Sequence, residues 1–172
     1  LNSVDLVVTL EGFYESSAEE FQKVLDLVKE LGEQAFSEAS NGAKISFYHY
    51  DRLKSREGIH KDDHINSSSF AAAIDGLAET HHSANEHDLV WALDKAITEG
   101  FSHYSSQAKD LVLLITDGAD KRGGQAAIEE LKAAELAGLH RNVTVMVLGV
   151  GPKVVKKELE AAAGDPARVL TA

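Results

Sequence analysis

The chain has 172 residues, 44% of them hydrophobic and none of them cysteine, and its formal net charge at pH 7 is −11. This length suits a single domain with a sizeable core, and the lack of thiols excludes disulfide bonds, thiolate metal sites and cysteine nucleophiles. The acidic balance argues against nucleic acid and anionic membrane surfaces as partners, because binding a polyanion requires basic groups that release its counterions.

Three strongly apolar segments predict buried strands. Residues 6–10, 111–115 and 143–150 are nearly continuous runs of Val, Leu and Ile, which is typical of strands covered on both faces by helices. Residues 43–50 alternate apolar and polar side chains after a turn signal and predict a further strand. The segment 57–64 predicts an antiparallel edge strand, although it contains only one strongly apolar residue.

Between the strands, apolar residues recur every three or four positions and predict amphipathic helices. The first helix has Ser16 or Ser17 ahead of Glu19 and Glu20, which is the arrangement of a capping box. The remaining elements, in chain order, are predicted helices at 67–77, 89–101, 123–139 and 153–163 and a last short strand at 168–170.

The alternation of strands and helices predicts one doubly wound, Rossmann-like α/β domain with a mostly parallel central sheet, one antiparallel edge strand and helices on both faces. No linker or repeat divides residues 1–172, which we interpret as a single domain cut from a larger multidomain protein. Ligands of such sheets bind beyond the carboxyl ends of the strands, at a topological switch point. The loops predicted to lie there are 11–16, 80–88, 117–120 and 149–152.

Three segments carry a resemblance to a known family. They are 5–12 (Asp-Leu-Val-Val-Thr-Leu-Glu-Gly), 113–118 (Leu-Leu-Ile-Thr-Asp-Gly) and 147–151 (Val-Leu-Gly-Val-Gly). In this order and at these spacings, the chain resembles the von Willebrand factor A family, which includes the integrin inserted domains. The resemblance covers almost the whole chain and implies a doubly wound fold with a role in adhesion.

Members of that family use a metal-ion-dependent adhesion site, formed by Asp-x-Ser-x-Ser after the first strand, a Thr in a later loop and the Asp of Thr-Asp-Gly. In this sequence Glu11, Phe13 and Glu15 stand at the first three ligand positions, Asn85 stands at the Thr position, and Asp117 is unchanged. Mg²⁺ requires octahedral oxygen ligands at about 2.1 Å, and Phe13 offers no oxygen. We therefore expect a degenerate site and no cofactor.

Two other metal sites are weaker alternatives. Glu11, Glu15 and Asp117, with Asp120 and other nearby acids, could form a rearranged site that binds Ca²⁺ or Mg²⁺ weakly, since Ca²⁺ tolerates flexible carboxylate ligation. The preferred interpretation is that Asp117 stabilises the turn with Gly118 and that the other acids are solvated. A loop with three histidines, His81, His82 and His87, carries possible zinc ligands, but no His-Glu-x-x-His spacing supports zinc.

Enzymatic function is not predicted, because the chain has no Gly-x-Ser-x-Gly elbow, no phosphate-binding loop and no cysteine. Exposed aromatic side chains at the ligand-binding edge, Phe13 and Tyr14, would instead form a metal-independent contact hot spot. Folding of these two rings inward, to fill the vacated cation site, is the alternative. The predicted binding residues are Phe13, Tyr14, Glu15, His82, Asn85 and Glu86. Trp91, within the helix at 89–101, is predicted to pack against the core.

The leading hypothesis is a non-enzymatic protein-binding module, for adhesion or matrix assembly, similar to the A-type domains of collagen VI. The expected partners are a matrix or cell-surface protein and other domains of the same chain. Nucleic acid and membrane insertion are not expected, because no apolar run approaches the roughly 20 residues that span a bilayer. One alternative is a structural spacer in a tandem array, and another is adhesion through a rearranged cation site at Glu11, Glu15 and Asp117. The pattern Asn66-Ser67-Ser68 matches an N-glycosylation site and favours an extracellular, secreted location.

Overall fold

The computed structural model describes residues 4–11, 17–38, 43–50, 56–59, 66–77, 88–101 and 108–172. The strands are β1 (Val4–Glu11), β2 (Ala43–Tyr50), β3 (Arg56–Ile59), β4 (Lys109–Thr116), β5 (Val143–Gly149) and β6 (Val169–Thr171). The helices are α1 (Ala18–Glu38), α2 (Ser67–Leu77), α3 (Leu89–Glu99), α4 (Gly124–Leu139) and α5 (Lys156–Ala163), and a single 3₁₀ turn (Pro166–Arg168) precedes β6.

The strands form one sheet in the order β3-β2-β1-β4-β5-β6. β1 pairs in parallel with both β2 and β4, and the parallel ladder continues through β5 to β6. At the other edge, β3 runs antiparallel to β2. The doubly wound α/β fold predicted from the sequence is confirmed. The C-terminal part of the predicted edge strand, residues 60–64, lies outside the described residues.

Strand side chains alternate between two cores because successive residues of a strand point to opposite faces of the sheet. On β1, Val8 and Leu10 are buried in the core that also contains residues of α1 and α2, whereas Val7 is buried in the core shared with α3, α4 and α5. The half-buried Trp91 packs against this second core, as predicted. The two faces of β1 thus contribute to different cores, as expected for a strand with helices on both sides of the sheet.

The start of α1 confirms the predicted capping box and assigns it to Ser17 and Glu20. The Ser17 backbone N–H donates to Glu20 Oε2 at 2.7 Å, and the Glu20 N–H donates to Ser17 Oγ at 3.2 Å. These reciprocal bonds satisfy two amide donors that helix geometry leaves without an internal partner. They fix the start of α1 at Ala18.

The direction of winding reverses between β1 and β4, because the chain proceeds from β1 toward β2 on one side and from β4 toward β5 on the other. Glu11 and Thr116, the last residues of these two strands, are register partners. Their carboxyl ends therefore lie side by side at the position where doubly wound sheets bind ligands. Among the described residues, no helix is long and apolar enough to cross a membrane.

Candidate functional site

Glu11 is a buried acid at the end of β1, with 2% of its surface exposed. Its Oε1 accepts a hydrogen bond from the Asp88 backbone N–H at 2.6 Å, and its Oε2 accepts one from Thr116 Oγ at 3.1 Å. A single carboxyl group thus joins β1, the start of α3 and the end of β4. We call this region the carboxyl edge: Glu11, Asp88, and the loop from Thr116 to Gly123.

The turn after β4 is organised by Thr116, whose hydroxyl donates to Glu11. The same oxygen accepts a hydrogen bond from the Gly118 backbone N–H at 3.3 Å. Thr116 is fully buried, and Asp117, directly after it, is half-buried. The hydroxyl of Thr116 therefore contacts both the neighbouring strand and its own turn.

Asp88 caps α3 and also binds two cationic side chains. Its Oδ1 accepts a hydrogen bond from the Trp91 backbone N–H at 3.1 Å. Lys121 Nζ lies 2.9 Å from Asp88 Oδ2, and the Arg122 guanidinium lies 3.3 Å from Asp88 Oδ1. The Asp88 side chain is 12% exposed, so these ion pairs are better shielded from water than ordinary surface pairs.

Asp120 ties the same loop to the start of α3. Its carboxyl oxygens accept hydrogen bonds from the Val90 N–H at 3.3 Å and the Arg122 N–H at 2.9 Å. Gly123 and Gly124 follow with φ angles of 62° and 56°, a left-handed conformation that favours glycine. These glycines let the chain turn directly from the loop into α4.

A second buried acid, Glu158 of α5, lies behind Asp120. The Asp120 backbone N–H donates to Glu158 Oε2 at 2.8 Å, and Glu158 is 1% exposed. Burial raises the pKa of the Glu158 carboxyl above its ordinary value, and the negative charge of Asp120 raises it further, while the hydrogen bond from the Asp120 N–H opposes the shift.

Because the pKa of Glu158 is raised, we expect the folded domain to lose stability as pH rises. The loss should begin near the ordinary pKa of 4.5 and be complete above the higher pKa of Glu158 in the folded state. In that interval the unfolded chain releases the proton while the folded chain retains it, so deprotonation favours unfolding. Glu158→Gln should remove this part of the pH dependence. Urea unfolding at a series of pH values checks it, with the exposed Glu129→Gln as control; identical pH profiles for Glu158→Gln and wild type would contradict it.

The predicted site residues fall into two groups. Glu11 and Asp117 lie at the same edge, since Glu11 pairs in register with the residue before Asp117. The other predicted residues lie in 12–16 and 78–87, outside the described residues, and remain predictions: Phe13, Tyr14, Glu15, His82, Asn85 and Glu86.

Sequence reasoning missed Lys121, Arg122 and Glu158. Lys121 and Arg122 directly follow Asp120, so their proximity to the acids was a signal that the motif comparison did not use. Glu158 is an acid among the buried positions of α5, next to Leu159, and a charged residue on an apolar helix face is itself a signal.

The described part of the carboxyl edge does not fit a divalent ion held in the family's manner. Both oxygens of Glu11 already accept hydrogen bonds from protein donors, and Lys121 brings a positive charge to Asp88. Within the part of the chain that the structure describes, no three acidic or histidine side chains come together to hold a metal ion. Because Mg²⁺ needs several oxygen ligands in octahedral geometry, the described residues alone do not provide its ligand set.

Comparison with known proteins identifies the family. A model of the von Willebrand factor type A domain matches residues 5–172. The chain belongs to the von Willebrand factor type A domain family. A search of curated proteins found no match. The family consists in general of non-enzymatic adhesion or interaction modules.

Solved structures with the type A fold resemble the chain closely in shape. One of these is proximal thread matrix protein 1 from the mussel byssus, whose metal-ion-dependent adhesion site (MIDAS) motif is occupied by zinc. It superposes on this chain with a TM-score of 0.80 at 20% identity, and the match covers 100% of this chain and 44% of that one. The manganese-loaded TRAP protein of Plasmodium vivax gives 0.68 at 18% identity, over 99% of this chain and 68% of that one.

The pilus adhesin SpaC of Lactobacillus rhamnosus GG gives a TM-score of 0.68 at 13% identity, over 100% of this chain and 29% of that one. This chain spans less than half the length of the mussel protein. At such low identities, the likeness establishes the fold.

Proposed function

We propose that this type A domain is a non-enzymatic protein-binding module of an adhesive or matrix protein, located outside the cell, and that it binds without a divalent ion. The observation that carries the proposal is the carboxyl edge itself. Glu11 accepts hydrogen bonds from Asp88 and Thr116, and Lys121 and Arg122 neutralise Asp88. Carboxylates of this edge thus already have protein partners, which supports binding without a divalent ion.

The family and the neighbours support a binding role. Type A domains serve in general as adhesion or interaction modules, and the similar structures include a byssal matrix protein and a pilus adhesin. With no metal bridge, we expect contact to depend on side chains of the segments 11–16 and 80–88, which the sequence predicts to lie at the carboxyl ends of the strands. Tyr14 and His82 are the side chains that we assign to this contact, because aromatic and histidine rings supply large contact area with few rotatable bonds.

The test is capture of purified matrix proteins, such as collagen, by the immobilised domain in buffer containing either EDTA or Mg²⁺. We expect equal capture in both buffers, and a loss of about tenfold in affinity for Tyr14→Ala or His82→Ala, which is the size of a moderate hot spot. His140→Ala is the matched control. His140 is exposed at the end of α4, close in sequence to the amino end of β5 and therefore far from the carboxyl ends of the strands.

Capture that requires Mg²⁺ would contradict metal-independent binding. Capture that His140→Ala weakens as much as His82→Ala would contradict the assignment of the contact to Tyr14 and His82. A domain that captures none of the matrix proteins would favour a spacer role over adhesion.

A further inference from the structure

The carboxyl edge contains two fixed positive charges, on Lys121 and Arg122. Both belong to the loop after β4, and both contact Asp88 at the start of α3, at 2.9 Å and 3.3 Å. The Arg122 guanidinium also lies 3.5 Å from Asp120 Oδ2, and its Nε lies 3.4 Å from Glu130 Oε2 on α4. Two cations therefore link α3, the loop and α4 through three acids.

We propose that Lys121 and Arg122 form an internal cation clamp, which does for this domain what a bound divalent ion does for its metal-loaded relatives. Together the two side chains carry the same formal charge as Mg²⁺ or Zn²⁺. Like such an ion, they bring carboxylates from separate segments together, although they do so through hydrogen-bonded pairs instead of coordination bonds. The inference concerns how the edge is held and does not depend on which partner the domain binds.

The positions of the two cations suit this role. Both side chains are about one-third exposed, at 34% and 30%. Two of the acids that they contact are much more buried, at 12% for Asp88 and 0% for Asp120, whereas Glu130 is 52% exposed. Charges in such partly desolvated positions interact more strongly than surface pairs, which water and salt screen. Without the clamp, Asp88 and Asp120 would face each other's charge across the edge with less compensation.

The clamp also opposes metal binding. A divalent ion approaching Asp88 would meet the ammonium of Lys121 at close range, and like charges repel most strongly where the local dielectric constant is low. An ion could bind Asp88 or Asp120 only after displacing Lys121 and Arg122 from these carboxylates. We therefore infer that the edge keeps its conformation without an ion.

The experiment measures thermal unfolding of the full chain in EDTA and in millimolar Mg²⁺ or Ca²⁺. Wild type should show the same melting temperature in every buffer, because a ligand stabilises a protein only if it binds the native state. Lys121→Met should melt about 3 °C lower, and Lys121→Arg should retain most of the stability because it keeps the charge. Lys95→Met is the matched control, since Lys95 is 32% exposed and pairs with Glu99 at 2.6 Å within a single helix; its shift should be smaller.

The double variant Lys121→Met/Arg122→Met separates the clamp from an ordinary structural contact. With both cations removed, the charges of Asp88 and Asp120 lose their compensation and should attract a divalent ion electrostatically, without a full set of protein ligands. Millimolar Mg²⁺ or Ca²⁺ should therefore raise the melting temperature of this variant and not that of wild type. The proposal is overturned if Mg²⁺ stabilises wild type, if Lys121→Met and Lys95→Met lose the same stability, or if no ion stabilises the double variant.

Discussion

Glu11→Ala should lower the free energy of unfolding by about 3 kcal/mol, since it removes a buried acceptor and leaves two donors without their partner. One donor is the Asp88 backbone N–H, and the other is the Thr116 hydroxyl. Both donors point at the Glu11 carboxyl group, which is only 2% exposed. Water therefore cannot readily replace the two lost hydrogen bonds. Urea unfolding monitored by circular dichroism measures the change.

A second substitution keeps the Glu11 prediction testable if the alanine variant does not fold. Glu11→Gln should cost only about 1 kcal/mol, because an amide oxygen can accept from Asp88 while its NH₂ donates to the Thr116 hydroxyl, which also accepts. The exposed Glu30→Ala is the control for a Glu-to-Ala change in general. If Glu11 served only as a metal ligand, Glu11→Ala would cost nothing in EDTA, and that result would refute the assignment.

Asp88→Ala should lower the free energy of unfolding by about 2 to 3 kcal/mol. Loss of the hydrogen bond to the Trp91 N–H removes the cap of α3, which is worth about 1 kcal/mol, and the remainder comes from the two shielded ion pairs. The variant leaves Lys121 and Arg122 near each other without their shared carboxylate. The readout is the urea midpoint together with amide hydrogen exchange at Val90 and Trp91.

Asp94→Ala is the control for Asp88, because Asp94 is an exposed acid in the same helix. It should change stability little, since alanine favours the helix interior. High salt should shrink the difference between Asp88→Ala and wild type only partly, because the hydrogen-bonded cap is not screened. A complete loss of that difference in high salt would show that the cap contributes nothing.

Local patterns predicted the fold well because they report burial directly. The apolar runs at β1 and β4 are typical of strands covered on both faces, and these two strands lie at the centre of the sheet, with β5 beside β4. The capping box at Ser17 and Glu20 was visible because its partners are three residues apart. The helix Ser67–Leu77 was predictable because Phe70, Ile74 and Leu77 recur at helical spacing and because Asn66, whose Oδ1 accepts from the Ser69 N–H at 3.0 Å, marks its start.

The contacts of the carboxyl edge could not be predicted in the same way, because they join residues far apart in sequence. Glu11 and Asp88 are 77 positions apart, and Asp120 and Glu158 are 38 apart. Glu11 and Asp117 lie at the same edge because each stands at the end of its strand, which the sequence pattern indicates. The donors that bind Glu11 come from Asp88 and Thr116, which no local pattern links to it.

The side-chain length of Glu11 illustrates the difference between the two kinds of inference. As a metal ligand, glutamate is one methylene longer than the aspartate of the family motif, which suits the compact oxygen shell of Mg²⁺ less well. In the fold, one Glu11 oxygen accepts from the start of α3 while the other accepts from β4. The longer side chain therefore serves to join these elements.

We infer that protein groups, and no metal ion, hold the carboxyl edge together. The most direct test is a crystal structure of the domain grown in manganese, with anomalous scattering recorded at the manganese absorption edge. We predict no anomalous peak within coordination distance of Asp117, and Lys121 still paired with Asp88. A six-coordinate manganese bound to Asp117, with Lys121 displaced from Asp88, would contradict the claim.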